Sequence, residues 1–130
     1  MDILVPAKEL EIYFNSKIDS LKVQHNETKA YIYSVFSGFV TKKIPEEDNI
    51  TITYINAKSK FNFIEFQTAG DYILYIKSFF PEHLNKNSIN YYDQIAMESY
   101  YCCHIIMNRQ LPLFEELSKD FTRITKKLRV

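Results

Sequence analysis

The residues best suited to chemistry crowd between positions 91 and 104: Tyr91, Tyr92, Asp93, Tyr100, Tyr101 and His104. Phenols and an imidazole both donate and accept hydrogen bonds and a carboxylate accepts them, so such a set can orient a small planar ligand or pass a proton. On a helix Tyr100 and His104 stand four residues apart and share a face, with Tyr92 and Asp93 about two turns away on neighbouring faces. Tyr92, Asp93, Tyr100 and His104 are therefore the candidate lining of a ligand pocket. A plainer account competes and carries more weight: tyrosines at helical spacing fill a core with their rings, and Asp93 accepts one of their hydroxyl bonds.

No residue is assigned a catalytic role. Acid–base catalysis needs two convergent titratable groups, and the pair available here, Asp93 and His104, is separated by about 16 Å along a straight helix. His25 and His83 lie at expected element ends without a partner in sequence and read as surface residues. Cys102, Cys103 and His104 are consecutive, and consecutive helical side chains fan about 100° apart instead of converging on a metal. No metal site is expected, and the two adjacent thiols are expected to stay free, as in a reducing compartment. With two isolated glycines the chain has neither a dinucleotide fingerprint nor a phosphate loop, so no cofactor is expected.

Sixteen basic and sixteen acidic residues cancel, which leaves no global field to attract a polyanion. Nucleic acid is a disfavoured partner; the one basic cluster, Arg123, Lys126, Lys127 and Arg129, suits the negative end of a terminal helix. The opening Met1-Asp2-Ile3-Leu4-Val5-Pro6 lacks the features of a signal peptide, and no apolar run approaches the roughly 20 residues of a membrane span. A cytoplasmic location is the expectation.

The elements that must position these residues read as helices. A length of 130 residues fits one domain, 1–130, with one core. Four prolines, Pro6, Pro45, Pro81 and Pro112, divide the chain into helix-sized pieces, and so few glycines cannot close the turns of an all-β fold. Leu10, Phe14, Ile18 and Leu21 mark a first helix; Ile32, Phe36, Phe39 and Val40 mark a second, with Asn26 as its cap and Gly38 a sign of close packing. Residues 44–48 read as a loop, with Asp48 capping the next segment. Residues 49–57 alternate like a strand, yet Ile52 and Ile55 also fit a helix, which is favoured because a strand there would lack a partner.

Helical spacing through Phe61, Phe63, Ile64 and Phe66 is expected to end at Gly70, with Asp71 capping a new helix whose stripe is Ile73, Ile76 and Phe80. Pro81 should stop that helix and Leu84 fold back over its end. Ser88 caps a long central helix near 88–109, apolar on more than one face and so surrounded by others. The last helix carries a seam of Phe114, Leu117, Phe121, Ile124 and Leu128 facing the core. The expected fold is all-α, a compact bundle of five or six helices around that central helix.

Gly70-Asp71, Phe79-Phe80-Pro81, Leu84, Tyr91-Tyr92 and Tyr100 together resemble a pattern in a group of uncharacterised bacterial proteins, over about residues 60–121. The resemblance implies a bacterial helical domain and no particular chemistry. Ten Phe and ten Tyr are more than one small core readily hides. The expected function is thus a non-catalytic interaction or regulatory protein, as a homodimer or with a protein partner; the alternative is a small-molecule binder or enzyme using the Tyr-lined pocket.

Overall fold

The computed structural model describes residues 7–39, 47–84 and 89–129. Six α-helices succeed one another: α1 (Ala7–Asp19), α2 (Asn26–Phe39), α3 (Glu47–Lys60), α4 (Phe63–Phe79), α5 (Ile89–Ile106) and α6 (Pro112–Leu128), with a short 3-10 turn at Pro81–His83 and no strand among the described residues. The all-α expectation holds. Expectations resting on Pro6, Val40, residues 44–46 and Ser88 lie outside the described residues, and residues 47 and 48 of the expected loop belong to α3.

The first three helices each bury one stripe. Phe14 and Ile18 on α1, Leu21 just beyond its end, and Ile32, Val35 and Phe36 on α2 enter a common core. Residues 49–57 are helical, but the buried face of α3 is Ile50, Tyr54 and Ala57, while Ile52 and Ile55 face outward. Asp48 lies inside α3, not before it.

A break that the spacing of phenylalanines concealed falls at Phe61 and Asn62. Phe61 takes a left-handed φ of 48°, and the Asn62 side chain then accepts a 3.1 Å bond from the Glu65 N–H, capping α4. The expected boundary at Gly70-Asp71 is wrong: α4 continues unbroken from Phe63 to Phe79. Gly70 gives no left-handed turn; it makes room for a ring on α5. Phe80 ends α4 and Pro81 starts the 3-10 turn, with Leu84 buried behind it, as expected.

The last turn of α5 comes earlier than expected, at Ile106, and Asn108 and Arg109 adopt left-handed φ of 55° and 58°. Pro112 opens α6, and its whole seam of Phe114, Leu117, Phe121, Ile124 and Leu128 is buried against the chain's own core. At the middle sits α4 as much as α5. The α4 helix touches α2, α3, α5 and α6, and its second half from Ile73 to Phe79 is buried on every side, whereas α5 packs chiefly on α4 and α6 and keeps an outer face with Tyr91 and Tyr101 exposed.

The aromatic residues gather in two clusters. Where α1, α2 and α4 meet, the Phe79 ring lies 4.1 Å from that of Phe14 and 4.8 Å from that of Phe36, with Tyr75 stacked on Phe39. Where α2, α4, α5 and α6 meet, Tyr31, Phe63 and Tyr100 surround Phe114, and Phe121 adjoins Tyr100. Gly38 has nothing within 4 Å of the place where a Cβ would stand, so it marks no close approach.

Candidate functional site

The four side chains expected to line one pocket are sent to different neighbours. Asp93 pairs with Lys77 of α4 and accepts a 3.3 Å bond from the Thr122 hydroxyl of α6, so its partner is an ammonium and not a tyrosine. His104 turns toward α6, its Nε2 lying 3.5 Å from Glu115 Oε2, while its buried Nδ1 has no hydrogen-bond partner among the described residues. Tyr92 is buried with its ring 5.4 Å from that of Tyr91. Tyr100 reaches Asp71, a group outside the four.

Asp71 is the point of convergence. Its Oδ1 accepts the Tyr31 hydroxyl of α2 at 2.7 Å and the Tyr100 hydroxyl of α5 at 2.8 Å, so one carboxyl oxygen ties three helices. The arrangement follows from helix geometry. Gly70 precedes Asp71 on α4, and a Cβ there would fall 2.9 Å from Tyr100 Cε1 and Cζ, so a glycine lets the Tyr100 ring approach the helix this closely. One turn along α5 from Tyr100 comes Cys103, whose Sγ lies 3.9 Å from the Phe63 carbonyl. Phe114 of α6 closes the far side against both tyrosine rings.

Electrostatics at this point is dominated by loss of water. Burial pushes the Asp71 carboxyl up to about 7, although the Tyr31 and Tyr100 hydroxyls favour its charged form and pull the other way. Burial, reinforced by the Asp71 charge, holds the Tyr31 and Tyr100 phenols and the Cys103 thiol well above their ordinary values. Asp71 is thus the group that can exchange a proton near neutrality while its neighbours stay neutral. By its accessible surface Asp71 is only partly buried.

A second carboxylate performs a related task. Glu116 of α6 accepts from the Gln24 N–H at 2.5 Å, the His25 N–H at 3.1 Å and the Thr28 hydroxyl at 2.6 Å. These groups open α2, so a side chain some ninety residues away caps that helix and Asn26, which is already its first residue, does not.

No family model, curated protein or solved structure matches this chain. The residues themselves must carry the functional reading.

Among the described residues no group of three His, Cys, Asp or Glu side chains is placed to hold a metal ion, and no helix is long and apolar enough to cross a membrane. Cys102 and Cys103 form no disulfide. Arg123 of the basic cluster is spent internally, donating to the Lys22 carbonyl at 2.9 Å and pairing with Asp120.

Two surface features remain. Between α3 and α5 runs an open groove of about 360 Å³ lined by Tyr54, Ile55, Lys58, Tyr91, Gln94 and Glu98. Ile55, which lines it, and Ile52, Phe61 and Ile64 are exposed to 58%, 55%, 55% and 63%. Sequence reading missed Tyr31, Asp71 and Glu116 as convergent groups. Their contacts span 29 to 92 residues, beyond any local spacing rule. A local sign existed only at Gly70-Asp71, and it pointed to a turn.

Proposed function

We propose that the protein is a non-catalytic interaction module that pairs with a second copy of itself through the outward face of α3 and the start of α4. The observation that carries this reading is the set Ile52, Ile55, Phe61 and Ile64, four large apolar side chains more than half exposed on adjoining elements. Scattered exposed apolar residues are ordinary, but four so close in sequence have the composition of an interface core. A second copy suits them because the neighbouring groove carries both Lys58 and Glu98, and a two-fold contact places a base of one copy against an acid of the other. The zero net charge adds no repulsion between copies.

Sedimentation equilibrium tests this directly. The wild-type chain is expected to dimerise, and Ile55→Glu with Ile64→Glu to sediment as a monomer with unchanged helical circular dichroism. A wild type that stays monomeric across the accessible concentrations overturns the reading.

A second reading, a small-molecule binder, is favoured by the aromatic and polar lining of the α3–α5 groove. Its Tyr54 and Tyr91 would replace the Tyr92, Tyr100 and His104 lining expected from sequence.

A further inference from the structure

We propose that Phe61 anchors the pairing of two copies by seating against the partner's Tyr101, in a register that also sets Lys58 against the partner's Glu98. The proposal rests on the pairing reading above and assigns the side chains that join.

The turn after α3 supplies the first observation. The Asn62 N–H donates to the Ala57 carbonyl at 3.3 Å, a common closure of a helix end, and Phe61 takes the left-handed position within it, with φ 48°. Glycine is the usual occupant there, because a side chain crowds the backbone in this conformation, and a bulky ring is an outlier. Asn108 and Arg109, which also have positive φ, are polar and exposed, as a solvated turn requires. Phe61 is apolar. Its ring meets Phe66 edge-on at 5.7 Å, yet the residue is 55% exposed, so burial within the chain does not account for it. An aromatic side chain held outward by strained backbone has the character of an interface anchor.

The second observation is a match between two rows of exposed side chains. On α3, Ile52, Ile55 and Lys58 succeed one another at steps of three, and Phe61 continues the row. On α5 the exposed row is Tyr91, Gln94, Glu98 and Tyr101. The two helices are the walls of the open groove, and both pack along α4, which runs back against each, so they lie roughly parallel. Cys102, one turn past Glu98, feels the charges of both Glu98 and Lys58, which places the same ends of the two helices together.

A two-fold axis along the groove lays α3 of each copy over α5 of the other. With Lys58 set on the partner's Glu98, three residues further brings Phe61 onto the partner's Tyr101, about 4.5 Å along each helix. Counted the other way, Ile52 falls on the partner's Tyr91. Each row therefore meets apolar with aromatic at its ends and base with acid between. Neither Lys58 nor Glu98 is in an ion pair within the chain among the described residues, whereas Lys60 beside them is taken by Glu65. Both are free for a partner.

Isotope-filtered NMR on an equal mixture of labelled and unlabelled full-length chains tests the register. Contacts between copies are expected from the Phe61 ring to the Tyr101 ring. In sedimentation equilibrium, Phe61→Gly, which suits the left-handed turn, is expected to weaken dimerisation about thirtyfold with unchanged helical circular dichroism. A wild-type dimer without Phe61–Tyr101 contacts between copies overturns the proposal, as does a Phe61→Gly chain that folds and dimerises as tightly as the wild type. Either result leaves the pairing reading standing if Ile55→Glu with Ile64→Glu is still monomeric, whereas a monomeric wild type overturns both. The wild-type contacts decide even if the variant fails to fold.

Discussion

Gly70 and Tyr100 are packed so closely that a methyl group on the glycine would stand 2.9 Å from two carbons of the tyrosine ring. The contact lets the Tyr100 hydroxyl reach the carboxyl of the very next residue, Asp71, at 2.8 Å. One glycine therefore fixes the distance between α4 and α5 and the partner of the most enclosed tyrosine.

The two glycines should respond in opposite directions to the same substitution. Ala favours a helix interior over Gly by about 1 kcal/mol, and at Gly38 nothing lies near enough to oppose it, so Gly38→Ala should stabilise by up to about that amount. At Gly70 the same methyl displaces a fully buried ring, and overpacking of this kind costs about 1–3 kcal/mol. Urea midpoints of the two variants should fall on opposite sides of the wild type.

Removing the Glu116 carboxylate should unseat the start of α2. Glu116→Ala strips an acceptor from three donors and should cost about 2–3 kcal/mol. Asn26→Ala should change stability by less than about 0.5 kcal/mol, since Asn26 is exposed and its position is not that of the cap. Equal losses from the two variants would contradict the assignment of the cap.

Lys77 and Asp93 should behave as a unit. Both are buried, and removing one leaves the other as an uncompensated charge, at a cost of about 3–5 kcal/mol for Asp93→Leu alone. Replacing both by Lys77→Met and Asp93→Leu should recover most of that loss. A double-mutant cycle of denaturation free energies reads the coupling directly.

Of the two adjacent phenylalanines, the first should matter more. Phe79 is buried between the rings of Phe14 and Phe36, so Phe79→Ala should cost about 3–5 kcal/mol. Phe80, expected from the stripe to be the buried one, lies past the last turn of α4, is only partly buried and rests on Tyr75. Its replacement by Ala should cost less, and calorimetric midpoints would order the pair.

How far the sequence reaches can be seen at α6 and at α4. The α6 seam repeats every three to four residues, Pro112 precedes it, and the basic residues close it; each signal is local and each agrees, so the helix and its buried face were legible. In α4, Gly70-Asp71 offered the local chemistry of a turn, and the helix ran through it because it is packed among the other helices. Packing outweighed propensity there. For α3 the helix was legible but not its inner face, because apolar residues occupy both sides and only the neighbours choose between Ile50 and Ile52.

By itself, then, the order of residues determined an all-helical chain, the places of most of its helices and the absence of familiar catalytic motifs, since all of these depend on neighbours within a few positions. Tertiary structure decided which polar groups meet: Tyr31 and Tyr100 on Asp71, Lys77 on Asp93, and the first turn of α2 on Glu116. Such meetings depend on how whole helices settle against one another, and no local spacing encodes that.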